Sequence, residues 1–270
     1  MSPMRCVSVA ALFVASLAAA DAPDSRVVTF VGCPIYRDTD LGRKSGCWLA
    51  EDPATGIRYD VTDGPTKPQV GRMSLFEGVL TSDPDTCGGV VLRPVRSAVL
   101  EETCPTAIIP AEQFPGRRFV LPAETLKPTW EPRELPKPPY ATREFHIVFD
   151  YGNDFLIYQY AELIIEKIAL YAKASQPQAV VITGFAATDP IEVSGRKLAE
   201  PAALAKARAD MVALALSRVG IDRRRMRIET NTHPQPLAEL GTPGLEASKR
   251  RVTIRVEVTS PEGRGRAKRG

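Results

Sequence analysis

Histidine is nearly missing from this chain: His146 and His233 are the only two, and they lie far apart. No histidine-based metal centre is therefore expected, and a structural reading suits each of them better. An excess of charge of either sign is also lacking, with 35 Lys and Arg against 32 Asp and Glu. A formal net charge of +3 over 270 residues is too small to argue for a nucleic-acid partner or an anionic membrane surface. Beyond the N-terminus no segment approaches the ~20 apolar residues that cross a bilayer. The sequence also holds no Gly-x-Ser-x-Gly elbow, phosphate-cradling Gly-x-x-x-x-Gly-Lys, dinucleotide Gly-x-Gly-x-x-Gly or paired-His zinc helix. These absences leave a non-enzymatic reading, with no cofactor and no metal expected.

What is present begins with a leader. Arg5 supplies a positive charge, residues 6–17 form a short apolar run, and Ala18-Ala19-Ala20 place small side chains just before Asp21. This pattern predicts a secretory signal over 1–20, cleaved to start the mature chain at Asp21, and with it a periplasmic location. Cys6 comes too early in the run to become a lipidated first residue. The other cysteines, Cys33, Cys47, Cys87 and Cys104, form an even set confined to the N-terminal half. In an exported chain they read as two disulfides. A zinc knuckle is disfavoured, because no pair has the two-to-four-residue separation such sites use. Three connectivities are open. Joining Cys33 to Cys47 and Cys87 to Cys104 would close the shortest loops.

The remaining 250 or so residues are enough for two modest cores. Residues 21–120 read as a small β-rich domain, an OB-like barrel or a sandwich, from short β-prone runs punctuated by Gly, Pro and Asp. Strands are expected over 26–31, 47–50, 56–61, 73–80 and 89–92, and Asp52-Pro-Ala-Thr-Gly56 should connect two of them as a hairpin. Residues 121–144 crowd six prolines among charges and Trp130. At ~3.1 Å per residue such a stretch would be an extended, semi-rigid spacer between domains, with Trp130 a local anchor. Residues 260–270 carry Arg264, Arg266, Lys268 and Arg269 among glycines and read as a disordered basic tail.

Residues 145–259 alternate element types. Phe145, Ile147 and Phe149 repeat with period two. Asp154 can then cap a helix in which Ile157, Ala161, Ile164, Ile168 and Tyr171 share a face, ended by Gln176-Pro177. A buried strand over 179–183 ends at Gly184. A second helix spans about 202–218, with Pro201 in its first turn and Leu204, Ala207, Met211, Leu214 and Arg218 along one side. Short strands close the chain over 226–230 and at Val252, Ile254, Val256 and Val258. The order, βαβαββ, is that of an α+β sandwich with both helices over one sheet.

These residues carry a resemblance. Phe145-His-Ile-Val-Phe-Asp150, the helix ending in Ala-Lys-Ala, Val180-Val-Ile-Thr-Gly184, Thr188-Asp189, Leu204-Ala-Lys-Ala-Arg208-Ala209, Gly220-Ile221 and Lys249-Arg-Arg-Val252 occur in the order seen in OmpA-like C-terminal domains. The chain resembles that family over about 115 residues and not in its N-terminal half. The resemblance implies a cell-envelope protein of the cell wall or outer membrane that binds peptidoglycan stem peptides through diaminopimelate. It further implies a clamp: Asp189 for the ammonium, Arg208 for the carboxylate, and Arg250 or Arg251 as the basic pair at the last strand. A zwitterion needs one fixed anion and one planar fork donor, which arginine supplies. The sequence departs from the family at several places. Counting from Gly184 puts Ala187 in the acidic position, Pro201, Ala205 and Lys249 replace polar residues, and 191–195 with 197–200 lengthen the segment before Arg208. Without the family, Arg208 reads as a solvated helix charge near Glu200 or Asp210, Asp189 as a loop residue, and Asp150 and Asp154 as capping groups. Two roles therefore compete: a peptidoglycan binder, or an envelope interaction module that keeps the fold without the ligand and meets another envelope protein through the β-domain.

Overall fold

A computed structural model describes residues 27–42, 45–112, 114–117, 124–157, 159–237 and 245–259. The expected leader with Cys6, the start of the linker with Pro122, and the basic tail lie outside them.

The first half is one seven-stranded arrangement. Its strands are β1 (Val27–Gly32), β2 (Pro34–Arg37), β3 (Cys47–Glu51), β4 (Arg58–Asp60), β5 (Arg72–Leu80), β6 (Val90–Thr103) and β7 (Ala107–Ile109). They run in the order β1-β5-β6-β4-β3-β2-β7. The long β6 joins the two parts, pairing with β5 antiparallel and with β4 in parallel. Phe30, Tyr59, Phe76, Leu92 and Val95 bury their side chains between them. β6 extends well past the expected residues because Arg93 and Pro94 fall where the register skips from Gly78↔Val95 to Leu80↔Leu92. A bulge tolerates a residue without an amide hydrogen, so the proline does not end the strand. The Asp52 connection forms as expected: its carboxylate accepts from the Ala54 N–H and the Thr55 hydroxyl.

The second half has a four-stranded sheet. Its strands are β8 (Arg143–Val148), β9 (Ala179–Phe185), β12 (Met226–Asn231) and β13 (Arg251–Glu257), in the order β12-β9-β13-β8. Helices α1 (Tyr160–Ser175) and α2 (Ala203–Arg218) cover one face. A one-turn α3 (Leu245–Lys249) precedes β13. Helix α2 buries Ala205, Ala209, Val212, Ala213 and Leu216, not the expected stripe, and Leu214 is 36% exposed. The reason is close approach. A Cβ at Gly184 would stand 1.9 Å from the Ala205 carbonyl oxygen, so the small-residue side of the helix is the side that fits the strand. Helix α1 starts later than expected and Asp154 does not cap it. Instead Asn153 accepts from the Phe155 N–H, holding that stretch as a loop.

Two further differences concern how the halves meet. The extra residues before Arg208 are a hairpin of β10 (Ile191–Val193) and β11 (Arg196–Leu198), turning at Ser194 and Gly195, both at positive φ. Such φ values match a two-residue hairpin turn. Val193 and Leu198 bury against Val31, Leu75 and Ala98 of the first half, and Ser194 Oγ accepts from the Val31 N–H at 3.0 Å. The proline-rich segment, for its part, lies along α1: Arg133 pairs with Glu166 at 2.6 Å, and Tyr140 packs on the second core. Instead of holding the halves apart, the chain docks one on the other.

Candidate functional site

The docked hairpin runs directly into Glu200, and Glu200 meets Arg208. Arg208 Nη2 and Nη1 donate to the two carboxylate oxygens of Glu200 at 2.6 and 2.8 Å. Nη1 also donates to the Phe185 carbonyl at 2.9 Å, Nη2 to the Asp150 carbonyl at 3.4 Å, and Nε to the Asn153 carbonyl at 2.8 Å. A guanidinium has five N–H donors, and all of them end on this chain's own oxygens. The side chain is fully buried, with its plane near the Phe149 ring. Glu200 is equally satisfied, since its oxygens also accept from the Gly152 and Ala187 amides at 2.9 Å each. Burial pushes its carboxyl up, but the Arg208 hydrogen bonds and charge, the Ala187 amide and Arg250 hold it below the ordinary value.

Two further buried pairs cross between the halves beside it. Arg250 of the second half meets Glu77 of β5, and Arg96 of β6 meets Asp150 at 3.1 Å, whose other oxygen accepts from Thr66. Asp150 thus works as an ion-pair partner, not as a cap. Burial alone would lower the Arg250 pKa; the charges of Glu77, Glu200 and Asp150 raise it instead. The lattice is balanced, three arginines against three carboxylates, which is what burial of charge demands.

The predicted clamp residues are separated. Arg208 is interior, whereas Asp189 is exposed and pairs with His233 at 3.3 Å. Arg250 is consumed by the interface. Arg251 lies on the other face of the sheet, its guanidinium 4.1 Å over the Phe185 ring and donating to the Gln235 and Ser248 carbonyls. There it borders a groove of about 300 Å³, across which Glu229, Thr183, Thr253 and His146 form a row, one per strand. Sequence reasoning gave Glu200 no part in the site beyond helix neighbour, and missed Glu77 and Arg96 altogether. The one available signal was an acid beside Pro201, ahead of the helix that carries Arg208.

The cysteines also pair differently. The bridge joins Cys47 to Cys87, because β3 and the Asp85 turn converge on one core with Leu49 and Phe114. Proximity in the sheet outweighs shortness of loop. Buried Asp60 stands near these sulfurs, but they are spent on each other. Its carboxyl is pushed up by burial, against the hydrogen bonds of Thr62.

No family model matches the chain, and no curated protein matches it. Solved structures do. The OmpA-like domain of FopA1 from Francisella tularensis is 18% identical, with 43% of this chain and 71% of that one covered, at a TM-score of 0.34. The cell wall anchor of the T6SS from Pseudomonas aeruginosa is 23% identical, with 44% and 82% covered, at 0.34. The peptidoglycan-associated lipoprotein from Burkholderia pseudomallei is 21% identical, with 41% and 87% covered, at 0.32. These three are, by description, an OmpA-like domain, a cell wall anchor and a peptidoglycan-associated lipoprotein, and each is matched over less than half of this chain.

Proposed function

We propose that this is a non-catalytic protein of the bacterial cell envelope, exported to the periplasm. In this reading its C-terminal half keeps an OmpA-like frame without the ligand, and the protein is an interaction module that meets another envelope protein through its β-domain. The observation that carries this reading is the filled fork of Arg208. A stem-peptide carboxylate would need two parallel guanidinium donors, and Glu200 already holds both. Asp189, the intended ammonium partner, faces solvent beside His233.

Pelleting of the full chain with isolated sacculi tests it. The wild-type protein should stay in the supernatant. Pelleting that is lost in a folded Arg208→Lys variant would overturn the reading and restore the clamp. One observation favours a second reading. Glu200 sits in what is chemically a carboxylate seat: a fork donor plus the Gly152 and Ala187 amides. If the seat can open, Glu200→Ala protein with native near-ultraviolet dichroism should pellet where wild type does not, making Glu200 an internal stand-in for the ligand.

A further inference from the structure

Cys33 and Cys104 stand outside the Cys47–Cys87 bridge, yet the sheet brings them to one corner. Strand β5 lies between β1 and β6. Gly32, ending β1, pairs with Ser74, and Thr103, ending β6, pairs with Arg72. Cys33 and Cys104 are the next residues of their strands, and the Cys104 N–H donates to the Gly71 carbonyl at 3.0 Å. Just beyond, β2 and β7 run side by side with Ile35 opposite Ala107. Both thiols are half-buried, and they hydrogen-bond to each other. Burial, followed by that hydrogen bond and the charge of Cys33, pushes the Cys104 thiol up to about 12.

We propose that Cys33 and Cys104 form a second disulfide, which staples the seat of the interdomain hairpin. Cys33 as thiolate attacks one sulfur of a small-molecule or protein disulfide, expelling a thiolate and leaving a mixed disulfide. Cys104 loses its proton and displaces the second thiolate, so the oxidant ends as two thiols and the chain gains one S–S bond. The placement gives the bond its role. Two residues before Cys33, the Val31 N–H holds Ser194 at the hairpin tip. Two residues before Cys104, Glu102 holds Arg196 at 3.0 Å. The staple therefore fixes both walls that grip the hairpin, and with them the segment that delivers Glu200.

The test uses the full chain carrying Cys6→Ser, oxidised with glutathione disulfide and digested without reduction. Mass spectrometry should find one peptide pair linked through Cys33 and Cys104 and another through Cys47 and Cys87. In Cys33→Ser and Cys104→Ser variants a single thiol should alkylate, with Cys47–Cys87 intact. Alkylation of both Cys33 and Cys104 after Cys47–Cys87 has formed, or either one linked to Cys47 or Cys87, would overturn the pairing. For the seat, the Val31 amide should exchange at least tenfold more slowly in the oxidised protein than in the Cys33→Ser/Cys104→Ser double variant. Equal exchange would remove the stapling role even if the bond forms.

Discussion

The loop holding Asp189 and the helix holding Arg208 look like two halves of one site in sequence, yet they live in opposite environments. Arg208 is fully buried with a carboxylate on its fork. Asp189 is two-thirds exposed, beside an imidazole three-quarters exposed. The same Coulomb attraction counts for little at the surface and for a great deal inside, where an unpaired charge has no water to return to. The contrast teaches that charge type and spacing locate a possible clamp, while burial decides whether its groups are free to grip anything.

The largest expected effect breaks the comparison at its buried end. Arg208→Ala leaves Glu200 alone in the interior and should cost about 3–5 kcal/mol in denaturant unfolding. Replacing both partners, Arg208→Met with Glu200→Leu, should recover most of that loss, because the penalty belongs to the unpaired charge more than to the missing attraction. Next comes the first half. Removing the Cys47–Cys87 bridge with Cys47→Ser/Cys87→Ser should lower its unfolding free energy by roughly 2–4 kcal/mol, read as a shift of the denaturant midpoint.

A pH series sharpens the same contrast. The Glu200 carboxyl lies below its ordinary value of 4.5 when folded. Its contribution is therefore present above about pH 4.5 and is lost as pH falls through the folded value. Wild type should lose stability more steeply than Glu200→Gln between neutral pH and pH 3, measured by urea unfolding at each pH. Equal slopes would place the acid sensitivity elsewhere. The smallest effect is at the exposed end: Asp189→Ala should shift stability by no more than about 0.5 kcal/mol, and a shift near that of Arg208→Ala would contradict the solvent-facing placement.

The second half was the more legible, for a local reason. Period-two and helical spacing announced β8, both helices and β13, since each pattern lies within one short segment. Its errors arose where a neighbour chose between alternatives. The face of α2 was decided by Gly184, and the start of α1 by the loop that Arg208 holds through the Asn153 carbonyl. In the first half, β2, β7 and most of β6 were not foreseen. Pro94 reads as a stop in sequence and becomes harmless only where a bulge surrounds it. The cysteine pairing failed for a related reason: loop length is a property of the chain, but bridge geometry belongs to the sheet.

The sequence by itself determined the periodicities, hence a helix-covered sheet in the second half and a strand-rich first half, and it picked out Arg208 as a residue to watch. Only the tertiary structure decided that the lengthened segment before Arg208 would form a hairpin seated on β1 and β6. That seating turns Glu200 inward onto the arginine and closes Glu77 over Arg250. The physical reason is that burying an arginine requires a carboxylate at hydrogen-bonding distance, and that distance is set by elements far apart in the chain, which no local pattern records.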